Sequence, residues 1–331
     1  LPIIIFLFSL GGATFGMSEE AVPFISILAP LTLALGYDSI VAVAITYLAC
    51  ILGFSSAMLN PFTVGIAQSI AGIQLYSGVE FRTLVWFVST LVGCGFVMFY
   101  AMKIKKNPEL SPMFEHDQVK REKLKSTESE HTEFTLRHKI IIAALFTSIA
   151  LVVYGVLKLE FWIPQIAAVF LGLGIISGLV GKLAPNEIAE AFTDGAKDMI
   201  GAAIMIGLAK SVMIIAQNAN IIDTILFNLA NVVGQLPSLI ASYIMFVIQM
   251  FINFFVSSGS GQAALTMPIL APLGDLVGIS RQLSVLIYQL GDGFSNAMFP
   301  TSGVLIACLG MAGVPYGKWL KWILPLQAIL F

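Results

Sequence analysis

Charged side chains inside otherwise apolar stretches are the residues of this 331-residue sequence best suited to chemistry. Asp292 interrupts a glycine-rich apolar stretch, and Glu19 and Glu20 follow another apolar run. A carboxylate in such surroundings can bind a cation, carry a proton or hold the amine of a ligand. Lys210 also lies in an apolar run. It can bind a ligand carboxylate or neutralise Asp292 or Glu20, and these alternatives stay open. A structural ion pair with Lys210 is the alternative to a binding role for Asp292.

Small polar side chains accompany these charges. The expected substrate- and ion-binding set is Ser18, Glu19, Glu20, Ser55, Ser56, Asn60, Thr63, Ser257, Ser258, Ser260, Gln262, Asp292, Ser295, Asn296, Thr301 and Ser302. Hydroxyl and amide groups add uncharged donors and acceptors, and unwound carbonyls can coordinate Na⁺. We therefore expect Na⁺ near Ser55–Asn60 and Ser295–Thr301. The alternative is a pair of helix kinks whose Ser and Thr hydroxyls bond back to carbonyls.

An internal repeat organises these clusters. The sequence ILAPL of residues 27–31 recurs 242 residues later, and GFSSAM of residues 53–58 recurs as GFSNAM 240 residues later. Each copy has two apolar limbs of about 15 residues joined by a polar tip, and an interrupted apolar segment follows. Fifteen helical residues reach about 22 Å, less than the roughly 30 Å apolar core of a bilayer. The tips are Gly16–Glu20 and Ser257–Gln262, and the breaks are Gly53–Gly65 and Gly291–Gly303.

The composition indicates a membrane protein. Hydrophobic residues make up 58% and charged residues 11% of the chain, whereas a soluble domain carries about 25% charged residues. Apolar runs long enough to span are Leu84–Met102, Ile140–Leu157, Ile163–Val180 and Met199–Ala216. If segments 186–196 and 220–236 lie at the interfaces, the broken helix and these four runs make five crossings between the hairpins, which then enter from opposite faces. The expected fold is an all-α integral membrane protein with inverted structural repeats, each with a re-entrant helical hairpin and a discontinuous transmembrane helix.

The chain divides into four expected regions. Residues 1–102 form the first repeat, 103–138 a charged cytoplasmic loop, 139–217 scaffold spans with an interfacial segment, and 218–331 the second repeat with a truncated last segment. Segment 103–139 holds nine of the 17 Lys and Arg residues, whereas the loops of the opposite face hold only Arg82 and Lys158. Because basic loops stay in the cytoplasm, loop 103–138 is placed there. It is interpreted as a solvated, partly disordered connector, with regulation as the alternative. We expect a longer protein with an N-terminal scaffold before residue 1.

Matched broken helices are typical of secondary transporters, because each break exposes backbone donors and acceptors that a ligand can satisfy. An intramembrane hydrolase would need Arg or His at the tips to hold and cleave phosphate, and neither is there. A channel or non-transporting scaffold would not need paired polar breaks. No enzyme, no nucleic-acid partner and no cofactor is expected, with Na⁺ or H⁺ as coupling ion. The three cysteines are far apart and show no metal-ligand spacing.

Four stretches resemble a known family. FSLGGATFGMSEEAVPF, ILAPLTLALGYDSI, FFVSSGSGQAALTMPILAPLGDLVGISRQ and QLGDGFSNAMFPTSG resemble the YfcC-type transporters of the four-carbon-dicarboxylate anaerobic carrier (DcuC-like) family, in the ion transporter superfamily. The resemblance implies a homodimeric inner-membrane carrier with an elevator-like movement. It implies substrate and Na⁺ sites at Ser18–Glu20, Ser55–Thr63, Ser257–Gln262 and Asp292–Ser302. YfcC-type members are often labelled basic amino acid antiporters, whereas the wider family carries dicarboxylates.

The expected function is therefore secondary active transport of a small polar metabolite by an elevator-like alternating-access mechanism. Exchange of a basic amino acid is favoured, because Asp292, Glu19 and Glu20 outnumber Lys210 at membrane depth. A four-carbon dicarboxylate carrier coupled to Na⁺ or H⁺ is the alternative, and an intramembrane hydrolase is the remote one. The expected location is the bacterial inner (cytoplasmic) membrane as a multi-pass protein. Its partners are then a small-molecule substrate, the lipid bilayer and a second copy of the chain.

Overall fold

The computed structural model describes residues 1–127, 135–159, 161, 163–221, 224, 228 and 233–331. Some side chains between residues 123 and 228 are not described, that of Lys210 among them. Every regular element of these residues is a helix, so the all-α class is confirmed. The chain forms two compact units, one of Leu1–Arg121 with Gly201–Phe331 and one of Glu122–Ile200. Both sequence repeats lie in the first unit.

The first repeat begins with a helical hairpin. Its arms are α1 (Pro2–Phe15) and α2 (Ala21–Ala34). An interrupted helix follows as α3 (Ser39–Val43), a π-helical turn (Ala44–Leu48), α4 (Ala49–Ser55), a second π-helical turn (Pro61–Gly65) and α5 (Ile66–Ile70). The repeat closes with α6 (Val79–Lys106). Each 14-residue arm is about 21 Å long, too short to cross a bilayer core.

Residues 107–121, named the strap from here on, pack against both repeats. The strap contains a 3-10 turn (Pro108–Leu110) and the first part of α7 (Phe114–Thr127). Asp117 accepts hydrogen bonds from the backbone N–H of Ser39 at 2.7 Å and from its hydroxyl at 2.6 Å. The Lys120 ammonium donates to Asp117 at 2.9 Å and to the carbonyl oxygen of Ala312 at 2.7 Å. The strap is therefore a docked segment and differs from the solvated connector that its charge pattern predicted.

The second unit contains helices that follow the strap. They are α8 (Leu136–Lys158), α9 (Ile163–Gly181) and the first part of α10 (Pro185–Asn218). α8 and α9 pack against each other. The sequence predicted an interfacial segment at 186–196 and a separate span at Met199–Ala216, but α10 is continuous through both. No proline follows Pro185 in this helix, so the change from polar to apolar residues does not end it.

The second repeat has the same order of elements as the first. It consists of α11 (Ser238–Phe255), α12 (Gly259–Leu276), α13 (Arg281–Asn296), α14 (Gly303–Ala312) and α15 (Tyr316–Leu330). α11 and α12 form the hairpin, and α13 and α14 form the interrupted helix. Each arm of this hairpin has 18 residues and is about 27 Å long, so the predicted limb length of about 15 residues was wrong for the second copy.

Local structure repeats along with the elements. The link after each hairpin contains a left-handed glycine, Gly36 with φ 86° and Gly278 with φ 75°. The next helix is capped in both copies, because Asp38 accepts from the N–H of Val41 and Ser280 accepts from that of Leu283. The matching turns and caps show that the repeat seen in the sequence is also a structural one.

The two repeats pack on each other in an exchanged pattern. The return arm α2 packs on α14, and its counterpart α12 packs on α5. The entering arms behave alike, since α1 packs along α4 and α11 packs along α13, while α4 and α13 contact each other. Equivalent elements of the two copies therefore make equivalent contacts. Opposite orientation of the copies in a membrane stays a prediction.

Two described helices are long and apolar enough to cross a bilayer, Val79–Lys106 and Ser238–Phe255. The pair Gly303–Ala312 and Tyr316–Leu330, bent by 117°, counts as a third if it is one broken span. The first of these helices contains the expected span Leu84–Met102. Phe99 is 70% exposed and Leu239 is 83% exposed on these helices, as expected of side chains that face lipid.

Candidate functional site

Both breaks begin later in the chain and are shorter than the sequence predicted. Residues 56–60 separate α4 from the second π-helical turn, and residues 297–302 separate α13 from α14. Gly53, Gly291 and Asp292 were assigned to the breaks, yet all three are helical. A Cβ on Gly53 would lie 1.8 Å from the carbonyl oxygen of Ser9, so this glycine allows α1 and α4 to pack closely. These glycines serve close helix packing and do not end a helix.

Each hairpin tip contacts the break of its own repeat. The carbonyl oxygen of Ala13 accepts from the N–H groups of Met58 at 2.9 Å and Leu59 at 3.1 Å. A Cβ on Gly16 would lie 2.7 Å from the amide of Asn60. In the second repeat, the Ser257 hydroxyl donates to the carbonyl oxygen of Thr301 at 3.0 Å. The tips thus lie directly against unwound backbone.

The second hairpin tip also reaches the helical segments on either side of the first break. A Cβ on Gly259 would lie 2.6 Å from Cγ2 of Thr63, 3.2 Å from Oδ2 of Asp292 and 3.2 Å from Cζ of Phe54. The Tyr288 hydroxyl holds this tip by donating to the Gly259 carbonyl at 2.6 Å. Residues from both repeats therefore converge at Gly259, where only a residue without a side chain fits.

Asp292 is the charged group of this convergence. It lies on α13, one turn before the helix end, and its side chain is 0% exposed. Neither carboxylate oxygen has a hydrogen-bond partner among the described residues, and no described ion pair includes it. A buried carboxylate left in this way is costly. A cationic ligand would satisfy it.

Uncharged atoms around the breaks share this feature. The buried polar atoms without a described partner include Nδ2 of Asn60, Oγ1 of Thr63, Oε1 of Gln289 and Oγ1 of Thr301. Buried polar atoms in proteins are nearly always satisfied, so a group of exceptions needs an explanation. Their position beside the hairpin tips and Asp292 is that of a polar ligand site.

Several expected ligands instead bond to their own helix. Ser55, Ser56 and Ser295 donate to the carbonyl four residues earlier, at 2.5, 2.6 and 2.7 Å. For these three side chains the kink interpretation describes the contacts. Ser302 pairs with the hydroxyl of Tyr47 at 3.1 Å, and Asn296 accepts from Asn253 at 3.0 Å. All of them lie at the breaks, where they support the site.

Some of the expected tip residues bond within the protein, and others are exposed. Oε2 of Glu20 accepts from the N–H of Ser18 at 3.1 Å, while Glu19 is exposed. In the second tip, Ser257 and Ser260 are exposed, and the Ser258 hydroxyl accepts from the N–H of Gly261. Gln262 is 0% exposed and donates to Gln249 on the other hairpin arm. Ser260 and Gln262 belong to the first turn of α12, so the tip is shorter than predicted.

Two expectations stay predictions. The side chain of Lys210 lies outside the described residues, so its pairing with Asp292 or a substrate is untested. Na⁺ near Ser55–Asn60 and Ser295–Thr301 would rest on carbonyl, hydroxyl and amide oxygens. The described residues contain no cluster of three or more His, Cys, Asp or Glu suited to a metal ion.

Four buried polar residues near the site were not predicted from the sequence. Asn253 donates to the carbonyl of Asp292 at 2.9 Å and to the Ser295 hydroxyl at 2.7 Å, and Gln289 donates to the carbonyl of Phe54 at 2.6 Å. Gln249 and Asn253 are four residues apart in an apolar helix, a pattern that could have been noticed. Arg82 was placed in a loop, but it lies in the first turn of α6 and is 3% exposed.

Comparison with known proteins gives a family. The family model described as C4-dicarboxylate anaerobic carrier (DcuC) matches residues 1–331, which confirms the resemblance. A protein of Escherichia coli (strain K12) described as "Putative basic amino acid antiporter YfcC" is 44% identical over 342 residues, covering 100% of this chain and 67% of that protein. An uncharacterized protein of Haemophilus influenzae (strain ATCC 51907 / DSM 11121 / KW20 / Rd) is 36% identical over 326 residues, covering 98% and 64%. The chain spans about two thirds of the length of these relatives.

Two solved structures share the fold. The YdaH transporter of Alcanivorax borkumensis, described as having an unusual topology, matches with a TM-score of 0.53 and 16% identity over 99% of this chain and 75% of that one. MtrF of Neisseria gonorrhoeae, described with a class of antimetabolite efflux pumps, matches with a TM-score of 0.51 and 19% identity over 99% and 71%. These similarities concern the fold alone. The matching family consists of transporters and not of enzymes, as the sequence predicted.

Proposed function

This chain belongs to the C4-dicarboxylate anaerobic carrier family of membrane transporters, and we propose that it forms the substrate-binding core of a secondary active transporter. Its substrate is a small polar metabolite, and exchange of a basic amino acid is the favoured reaction. The description of the Escherichia coli relative supports this choice. The protein works in the bacterial inner membrane as a homodimer, with residues 103–138 in the cytoplasm.

Asp292 carries the proposal. Its carboxylate is buried without a described partner, beside the second hairpin tip at Gly259, which also lies against Thr63 just after the first break. A primary amine or guanidinium placed there would supply the missing hydrogen bonds and charge. The Thr63 hydroxyl and Nδ2 of Asn60, which have no described partner, would bind the polar part of the same molecule.

A four-carbon dicarboxylate with Na⁺ or H⁺ as coupling ion is the second candidate. The description of the family favours it. In that case Asp292 would take the coupling ion, and the Asn60 amide would donate to a substrate carboxylate. The two candidates therefore assign opposite charges to the substrate.

The mechanism we propose is elevator-like alternating access. Both hairpins and both interrupted helices belong to one compact unit, whereas α8 and α9 belong to the other. This division of the chain into two units supports the proposal.

Exchange in liposomes tests the proposal. The full-length protein is reconstituted, loaded with unlabelled arginine, ornithine or succinate, and supplied outside with the labelled compound under varied Na⁺ and pH gradients. We expect counterflow of arginine or ornithine that does not depend on a Na⁺ gradient. Uptake of succinate driven by Na⁺ or H⁺, with no effect of either amino acid, would refute basic amino acid exchange and support the second candidate.

A further inference from the structure

Arg82 is a buried cation for which the proposed transport cycle has so far given no role. Its side chain is 3% exposed, and Nη1 has no hydrogen-bond partner among the described residues. No described ion pair includes it, and the nearby Glu80 is exposed. Burial of a guanidinium that has an unsatisfied N–H group and no described counter-ion is strongly unfavourable.

The position of Arg82 on its helix adds to this cost. It lies in the first turn of α6, where the helix dipole and the free N–H groups favour an anion over a cation. The N-terminal residue Gly78 offers no side-chain cap. A guanidinium beside uncapped N–H groups is an arrangement suited to a carboxylate.

The contacts of α6 place this turn beside the first break. The Ser89 hydroxyl donates to that of Ser56 at 2.9 Å, and the Thr83 hydroxyl donates to the sulfur of Met58 at 3.2 Å. Along α6 from Ser89 to Thr83, the neighbouring chain therefore advances from the start to the middle of the break. Arg82 is the next residue, seven positions from Ser89 and so on the same buried face.

We propose that Arg82 binds the carboxylate of the substrate while Asp292 holds its cationic group. This inference rests on the proposed function. The charged groups of the two residues are more than 4.0 Å apart, because they form no ion pair. An amino acid with a basic side chain carries its carboxylate and its cation several ångströms apart, so one such molecule that bridges the two residues would compensate both buried charges. Recognition of the carboxylate separates the amino acid from its decarboxylated amine.

The test compares arginine with agmatine, which lacks the carboxylate, in the full-length protein. Inhibition constants against labelled arginine are measured in liposomes for the wild type, Arg82→Gln and the exposed control Arg137→Gln. Loss of one charged hydrogen-bonding partner should weaken the binding of arginine to Arg82→Gln about ten- to hundredfold. The inhibition constant of agmatine should change by less than twofold, and Arg137→Gln should give the same constants as the wild type.

Equal changes for arginine and agmatine, or no change for either, would overturn the inference. Thermal unfolding of the substrate-free protein separates a purely structural role. Removal of an unpaired buried charge should leave the unfolding midpoint of Arg82→Gln unchanged or higher. A fall of several degrees would show that Arg82 has a structural partner and contradict the inference.

Failure of the proposed function gives a different result. If the wild type exchanges succinate and neither arginine nor agmatine competes, basic amino acid transport is refuted. The role of Arg82 in binding a carboxylate is then tested with succinate. Arg82→Gln must raise the KM for succinate at least tenfold, while Arg137→Gln leaves it unchanged.

Discussion

Removal of the charge of Asp117 should destabilise the protein much more than the same change in a matched exposed pair. Asp117 is 1% exposed, accepts two hydrogen bonds from Ser39 and pairs with Lys120. The carboxylate stabilises the start of α3, and the ammonium binds the carbonyl at the end of α14. In Asp117→Asn these charge-assisted bonds weaken, and Lys120 loses its counter-ion.

The expected cost is about 3 kcal/mol. Hydrogen bonds to charged groups contribute roughly 1.5–3 kcal/mol each, and an uncompensated buried charge adds to the loss. Lys120 is 32% exposed, so solvent screens part of its charge and limits the total. For a chain of this size the loss corresponds to a fall in Tm of roughly 5 °C.

Asp194→Asn is the matched control. Asp194 pairs with Lys197 at 2.7 Å with the same three-residue spacing, but the side chains are 72% and 66% exposed. Such pairs contribute about 0–1 kcal/mol. Unfolding can be followed with a fluorogenic maleimide, because Cys50, Cys94 and Cys308 are free and buried. Equal midpoints for the two variants, within about 1 °C, would refute the role assigned to the strap.

Three further substitutions test the site and its packing. Asp292→Asn should abolish arginine exchange without lowering the unfolding midpoint, since it removes an unpaired buried charge; liposome uptake and thermal unfolding check this. Gly259→Ala should reduce exchange at least tenfold, because its Cβ enters the convergence of both repeats, whereas Gly310→Ala, with open space around the Cβ, should transport normally. Gly53→Ala should lower Tm by more than 5 °C, because its Cβ would lie 1.8 Å from a backbone oxygen, while Gly95→Ala should leave Tm unchanged or higher.

The order of hairpin and interrupted helix in each copy could be predicted from the sequence, because short motifs recur at a nearly constant offset, while the inverted orientation of the copies stays a prediction. Gly36 and Gly278 illustrate this, since both take the left-handed conformation that a hairpin link requires. The prediction that Gly53 belongs to a helix break was wrong for a physical reason. A glycine within an apolar run suits a helix break and a close helix contact equally well, and only the position of the partner helix decides between them.

The roles of residues that depend on contacts with distant parts of the chain could not be predicted from the sequence either. Arg82 follows a polar turn, so it resembled a loop residue, and its burial arises from packing of α6 on the first break. Asp117 and Lys120 belong to a charged run typical of solvated connectors. Their contacts with Ser39 and Ala312 join residues more than 70 positions apart.

Substrate protection at Thr63 tests the central claim, that the substrate binds where the first break, the second hairpin tip and Asp292 converge. Thr63→Cys is introduced into the full-length protein, and alkylation is timed with and without arginine, with the exposed Thr193→Cys as control. The account predicts that arginine slows alkylation at position 63 severalfold and leaves position 193 unchanged. Alkylation at position 63 that is unaffected by saturating arginine, in protein that exchanges arginine, would contradict it.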